Sequence, residues 1–153
     1  MIAPFLLSAS PAPDICGVLE VAYAAAIESR VPASPVDVQP SWRELALEKF
    51  VPDFIARTTL SKGEVADLVA HQGMHREKGF RALCLWQARP MPAKDYEGHQ
   101  MKVSFSSPIF SGDMRLAVVE VSFQEPGFGY GSFCVLRGGR GAWSAQCHPD
   151  WIT

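Results

Sequence analysis

The sequence lacks a run of the ~18 apolar residues that a membrane-crossing helix requires, any excess of basic charge, and any CxxC pair. Fourteen Lys plus Arg stand against sixteen Asp plus Glu, so nothing is available to neutralise a phosphate backbone or hold anionic lipid. Nucleic-acid and membrane-surface binding are therefore disfavoured. Without CxxC neither a thioredoxin-like motif nor a zinc knuckle is suggested. No GxSxG elbow occurs and no cysteine stands in a frame that suggests an activated thiolate, which leaves acyl transfer without support. No motif implies a cofactor.

What is present is 153 residues, 48% hydrophobic and 20% charged, with 12 Gly and 12 Pro, the profile of one compact globular domain. At this length roughly 68 to 70% of the unfolded chain's surface is buried on folding, so no metal or disulfide is needed merely to fold. Residues 1–13 carry no charge and run from an apolar stretch, Ile2 to Leu7, into small residues, the order of the back half of a secretory signal. The charged n-region is missing and the apolar run is short, so the segment reads as a signal or leader remnant ahead of a single domain at 14–153.

Four cysteines, Cys16, Cys84, Cys134 and Cys147, allow three full pairings. A two-residue hairpin turn at Arg140-Gly141 would put Cys134 directly opposite Cys147 and permit a bridge, whereas a shift of one residue would break it. Buried reduced thiols are the equal alternative for that pair, and the favoured reading for Cys16 and Cys84.

Behind Pro13-Asp14, apolar residues at Ile15, Val18, Leu19, Ala22, Ala26 and Ile27 predict a helix ending near Arg30. Three prolines from Val31 to Pro40 make an extended connector. Ser41 to Glu44 and Ser61 to Glu64 each fit a capping box, predicting one helix to about Phe50, stopped by Pro52, and another ended by Gly73. Arg81 to Gln87 is read as strand. From residue 99 the period becomes two: Met101, Val103 and Phe105, then Ala117, Val119, Val121 and Phe123, then Phe133 to Arg137 and Trp143 to Cys147. The expected fold is α+β, with N-terminal helices packed on one face of a C-terminal four-stranded antiparallel β-meander.

Within 103–152, Ser107-Pro108-Ile109-Phe110-Ser111, Asp113, the strand Ala117 to Val121, Gly129-Tyr130-Gly131, Gly141-Ala142-Trp143 and Trp151 form a pattern. It resembles that of uncharacterised bacterial α+β domains, often exported or lipid-anchored. The resemblance covers about a third of the chain, through turns and core aromatics, and implies the fold and an exported habit but no activity. Gly138-Gly139-Arg140 departs from the pattern, where a charged residue and Asn or Asp would precede the glycine.

Three features carry candidate chemistry. Asp67, His71 and His75, spaced i, i+4, i+8, would line one side of an unbroken helix as metal ligands; the plainer reading is a solvated polar face, since Gly73 interrupts them and a third strong ligand must come from His99 or His148. Glu125 to Gly131 sets Phe128 and Tyr130 between glycines, a loop that can present rings to a ligand, with Tyr130 the more exposed; against it stands a hairpin connection covering the core edge. Glu120 is a general-base candidate for a pocket between sheet and helices, although alternation places it in solvent, beside Lys102 across the hairpin. Trp42, Trp86, Trp143 and Trp151 read as core or core-rim aromatics. The expectation is a small exported domain that binds a protein or small molecule without catalysis. The alternative is a metal-dependent or pocket-acid enzyme using Asp67, His71 and His75.

Overall fold

The computed structural model describes residues 13–28, 36–38, 45–49, 52–73, 84, 101–139 and 141–153. Residues 1–12, the capping box expected at Ser41 to Glu44, the strand expected over Arg81 to Gln87 except for Cys84, which is in no strand, and Trp42, Trp86, His75 and His99 lie outside them. In chain order the elements are α1 (Ile15–Glu28), β1 (Val36–Val38), a 3-10 turn (Leu47–Lys49), α2 (Pro52–Ala56), α3 (Lys62–His71), β2 (Met101–Phe105), β3 (Ile109–Phe110), β4 (Leu116–Glu125), β5 (Phe128–Arg137) and β6 (Ser144–Ile152).

The expected four strands are β2, β4, β5 and β6, and they run as an antiparallel meander in that order. Two short strands add to it. β1 pairs in parallel with β2 at the edge, and β3 takes the half of β4 that β2 leaves unpaired. Between β2 and β3 the Ser106 hydroxyl accepts the Glu120 N–H at 2.9 Å, so the ladder on β4 stays satisfied across the break.

The helices lie on both faces of the sheet, which corrects the expected one-sided packing. Val18, Leu19, Ala22 and Ala26 of α1 pack on Ala117, Val119, Val121, Phe123 and Cys134. On the other face Leu47, Phe54, Ile55, Leu60, Val65 and Leu68 close over Leu116, Val118, Phe133 and Val135. β4 is therefore buried from Leu116 through Phe123 on both sides.

Both disulfides form. Cys134 faces Cys147 in the β5–β6 ladder and is bridged to it, the register that a turn centred on Arg140-Gly141 requires. Pairing ends at Arg137 and Ser144, and beyond it Ala142 N–H donates to Gly139 O at 2.8 Å; Arg140 lies outside the described residues. Cys16 and Cys84 are also bridged, against the expectation of reduced thiols there; α1 brings the Cys16 side chain down onto the core that buries Cys84. No helix among the described residues is long and apolar enough to cross a membrane.

Candidate functional site

α3 begins where its sequence says it should. Ser61 accepts the Glu64 N–H at 3.2 Å while Glu64 accepts the Ser61 N–H at 2.8 Å, a complete capping box. Glu64 also receives both guanidinium arms of Arg137 from β5, and Arg137 donates to the Thr59 carbonyl at 2.9 Å. The Arg137 guanidinium, with the Ser61 N–H behind it, pulls the Glu64 carboxyl down to about 2. Arg137 is held charged in turn.

Opposite α3 stands the turn between β3 and β4. The Ser111 hydroxyl donates to Asp113 Oδ1 at 2.7 Å and accepts the Leu116 N–H at 3.0 Å. Asp113 Oδ1 also accepts the Arg115 N–H at 3.0 Å, and these donors hold its carboxyl below the usual range. The tightness of the turn forces Met114 to φ 60°, a left-handed conformation that most side chains avoid.

Asp67 joins the helix to the turn, its Oδ2 accepting the Gly112 N–H at 3.0 Å. One turn further on, His71 Nδ1 lies 2.8 Å from the Asp67 carbonyl oxygen and 3.2 Å from Asp67 Oδ1. The imidazole leans over Gly112, where an added Cβ would stand 2.9 Å from the ring. Asp67 and His71 thus come together as the helical spacing predicted, but as a clip on the turn. Among the described residues no three His, Cys, Asp or Glu side chains gather to hold a metal.

Between helix and turn lies an open cleft of about 450 Å³, lined by Gly63, Glu64, Asp67, Asp113, Arg115 and Arg137 over a floor of Ser111 and Leu116. Its acidic groups are engaged as described. Among the described residues the Arg115 guanidinium makes no hydrogen bond or salt bridge, and its charge acts on the Asp113 carboxylate. Nothing in the sequence singles Arg115 out, because its position opposite Asp67 depends on a turn that only the fold closes.

Glu120 is buried, 7% exposed, which corrects its solvent placement. Alternation does put it opposite Val119 and Val121, but that face carries the second helical layer. Its row neighbours are Phe133 and His148, and Lys102 faces Gln124 instead. Glu120 accepts from the Ser122 hydroxyl at 3.2 Å and from the Trp151 indole N–H at 3.4 Å. The Trp151 ring lies on the backbone of Gly129 and Gly131; a Cβ on Gly131 would fall 2.1 Å from its Nε1. In the same row as Glu120, His148 Nε2 is buried with no hydrogen-bond partner among the described residues.

The loop expected over Glu125 to Gly131 is a two-residue turn, Pro126-Gly127, because Phe128 already pairs with Glu125. Its other glycines are strand residues that make room for Trp151. Tyr130 is buried, correcting its expected exposure, and stacks on Phe123 with ring centroids 4.8 Å apart. Phe128 is exposed at the hairpin tip.

No known family model, curated protein or solved structure matches the chain.

Proposed function

We propose that this chain is a small disulfide-stapled module of an oxidising, extracytoplasmic compartment that works by binding rather than by turnover. Two bridges support the compartment, since disulfides persist where thiols are not kept reduced, and the resemblance to exported bacterial domains agrees with it. The observation that carries binding over chemistry is how the cleft's charges are used. Glu64, Asp67 and Asp113 spend lone pairs on backbone N–H groups and fixed side chains, which holds shape. Arg115 presents to the cleft a guanidinium that no hydrogen bond or salt bridge fixes among the described residues. A general base, in contrast, needs its lone pair aimed at a substrate proton.

Protein isolated from its native compartment, denatured without reductant, is expected to show no titratable thiol; four thiols would overturn the compartment. Saturable binding of an extracytoplasmic partner, lost in Arg115→Gln, supports the module, and turnover of any substrate abolished by one polar substitution defeats it. A pocket-acid enzyme is the second reading, favoured by the buried Glu120 beneath Trp151. Loss of a turnover in Glu120→Gln, with the melting temperature kept, would select it. The metal-dependent version draws on Asp67, His71 and His75, the last outside the described residues, and stoichiometric metal in the purified protein would select that one.

A further inference from the structure

The charges around the α3 cleft define what can sit in it. Glu64 and Arg137 neutralise each other through a two-armed pair. Asp67, with a side chain 42% exposed, and the exposed Asp113 face the cleft as negative groups, and the exposed Arg115 guanidinium, whose charge acts on Asp113 but which forms no salt bridge among the described residues, as a positive one. A plain anion would meet two carboxylates. A plain cation would meet the guanidinium. The complement is a molecule with both signs, whose carboxylate takes the planar fork of Arg115 and whose amines lie along Asp67 and Asp113.

The cleft's volume of about 450 Å³ suits a molecule of a few to about twenty heavy atoms, within the usual range for small-ligand sites. Its floor is rigid, because Leu116 and Ser111 are buried and the turn is closed on itself. Binding therefore orders little of the protein.

We propose that the cleft takes a small zwitterion with more amine than carboxylate, a free basic amino acid, with Arg115 as the anchor for the carboxylate. This rests on the cleft being the binding seat of the module. The test uses the full chain with both disulfides intact, followed by amide NMR shifts and calorimetry at low salt. Three probes are titrated: L-lysine, cadaverine, which lacks the carboxylate, and 6-aminohexanoate, which lacks the second amine. L-lysine is expected to bind saturably, shifting the amides of Gly63, Gly112 and Arg115, with each of the other two about tenfold weaker or worse, the loss of one charge-assisted contact. Arg115→Gln should bring L-lysine to the affinity of cadaverine. Lys102→Gln, the same charge change at the exposed residue of β2, should leave it unchanged. Equal binding of all three probes at the cleft would overturn the zwitterion and leave the seat standing. Shifts confined to residues elsewhere, or no saturable shift, would overturn the seat as well.

Discussion

The Asp14 carboxylate accepts hydrogen bonds from three places in the chain: Gly17 N–H at 3.0 Å, Gly141 N–H at 3.0 Å and the Trp143 indole N–H at 3.1 Å. The first is a helix N-cap, and the other two fasten α1 to the β5–β6 turn. Gly17 is part of the device, because a Cβ there would stand 2.3 Å from Asp14 Oδ2. Asp14→Ala is expected to lower stability by about 2 kcal/mol in urea unfolding, the sum of a lost cap and lost charge-assisted bonds, while Asp14→Asn loses about half of that. A loss no larger than a surface substitution's would remove the clip. Glu64 makes a prediction in pH instead. Its folded pKa of about 2 lies below the ordinary 4.5, so its pair with Arg137 contributes fully above 4.5 and is lost as the pH falls toward 2. The melting temperature of Arg137→Gln should lie furthest below that of the wild type above pH 4.5, and the gap should close on acidification. A gap independent of pH would show that Arg137 acts through its Thr59 bond and its packing alone.

At the scale of elements, α1, α3 and the long strands were readable because each carries a signal that is local: an apolar stripe, a capping box, a period of two. The β5–β6 register was readable as well, since turn position alone decides which cysteines face each other. What escaped depends on contacts distant in sequence. Alternation along β4 separates Glu120 from Val119, but only the layer of α2, α3 and the 3-10 turn decides that both sets are covered. Composition made Gly129-Tyr130-Gly131 look like loop, whereas the glycines mark a strand face on which a tryptophan lies twenty residues later. That explanation is testable by a double-mutant cycle. Gly131→Ala should destabilise by about 1–3 kcal/mol because its methyl displaces the Trp151 ring, and much less in a Trp151→Ala background, where the space is vacant. Additive effects would show that the glycine is there for its backbone and the ring is incidental. Asp67 and His71 escaped in a different way: their spacing was right, yet the partner that gives them a role, Gly112, sits on another element.

For the whole molecule, the two bridges act on different lengths of chain. Cys134–Cys147 closes 13 residues inside a hairpin that the ladder already holds, and Cys16–Cys84 closes 68, tying α1 to a segment between the α-helical and β-rich parts. If their main effect is to limit the unfolded chain, removal of the hairpin bridge should cost about 3 kcal/mol and removal of the long one about 4 kcal/mol. Burial points the other way. Cys134 is fully buried, and both hairpin sulfurs lie against the Ala22 carbonyl of α1, at 3.9 and 3.7 Å, so paired alanines there also leave a void where helix meets sheet. Equilibrium unfolding of Cys16→Ala/Cys84→Ala and of Cys134→Ala/Cys147→Ala separates the two causes. If chain entropy dominates, the long-loop variant is the less stable. If packing under α1 dominates, the order reverses, and filling the void with Cys134→Val in the hairpin variant should recover part of the loss, which chain entropy does not allow.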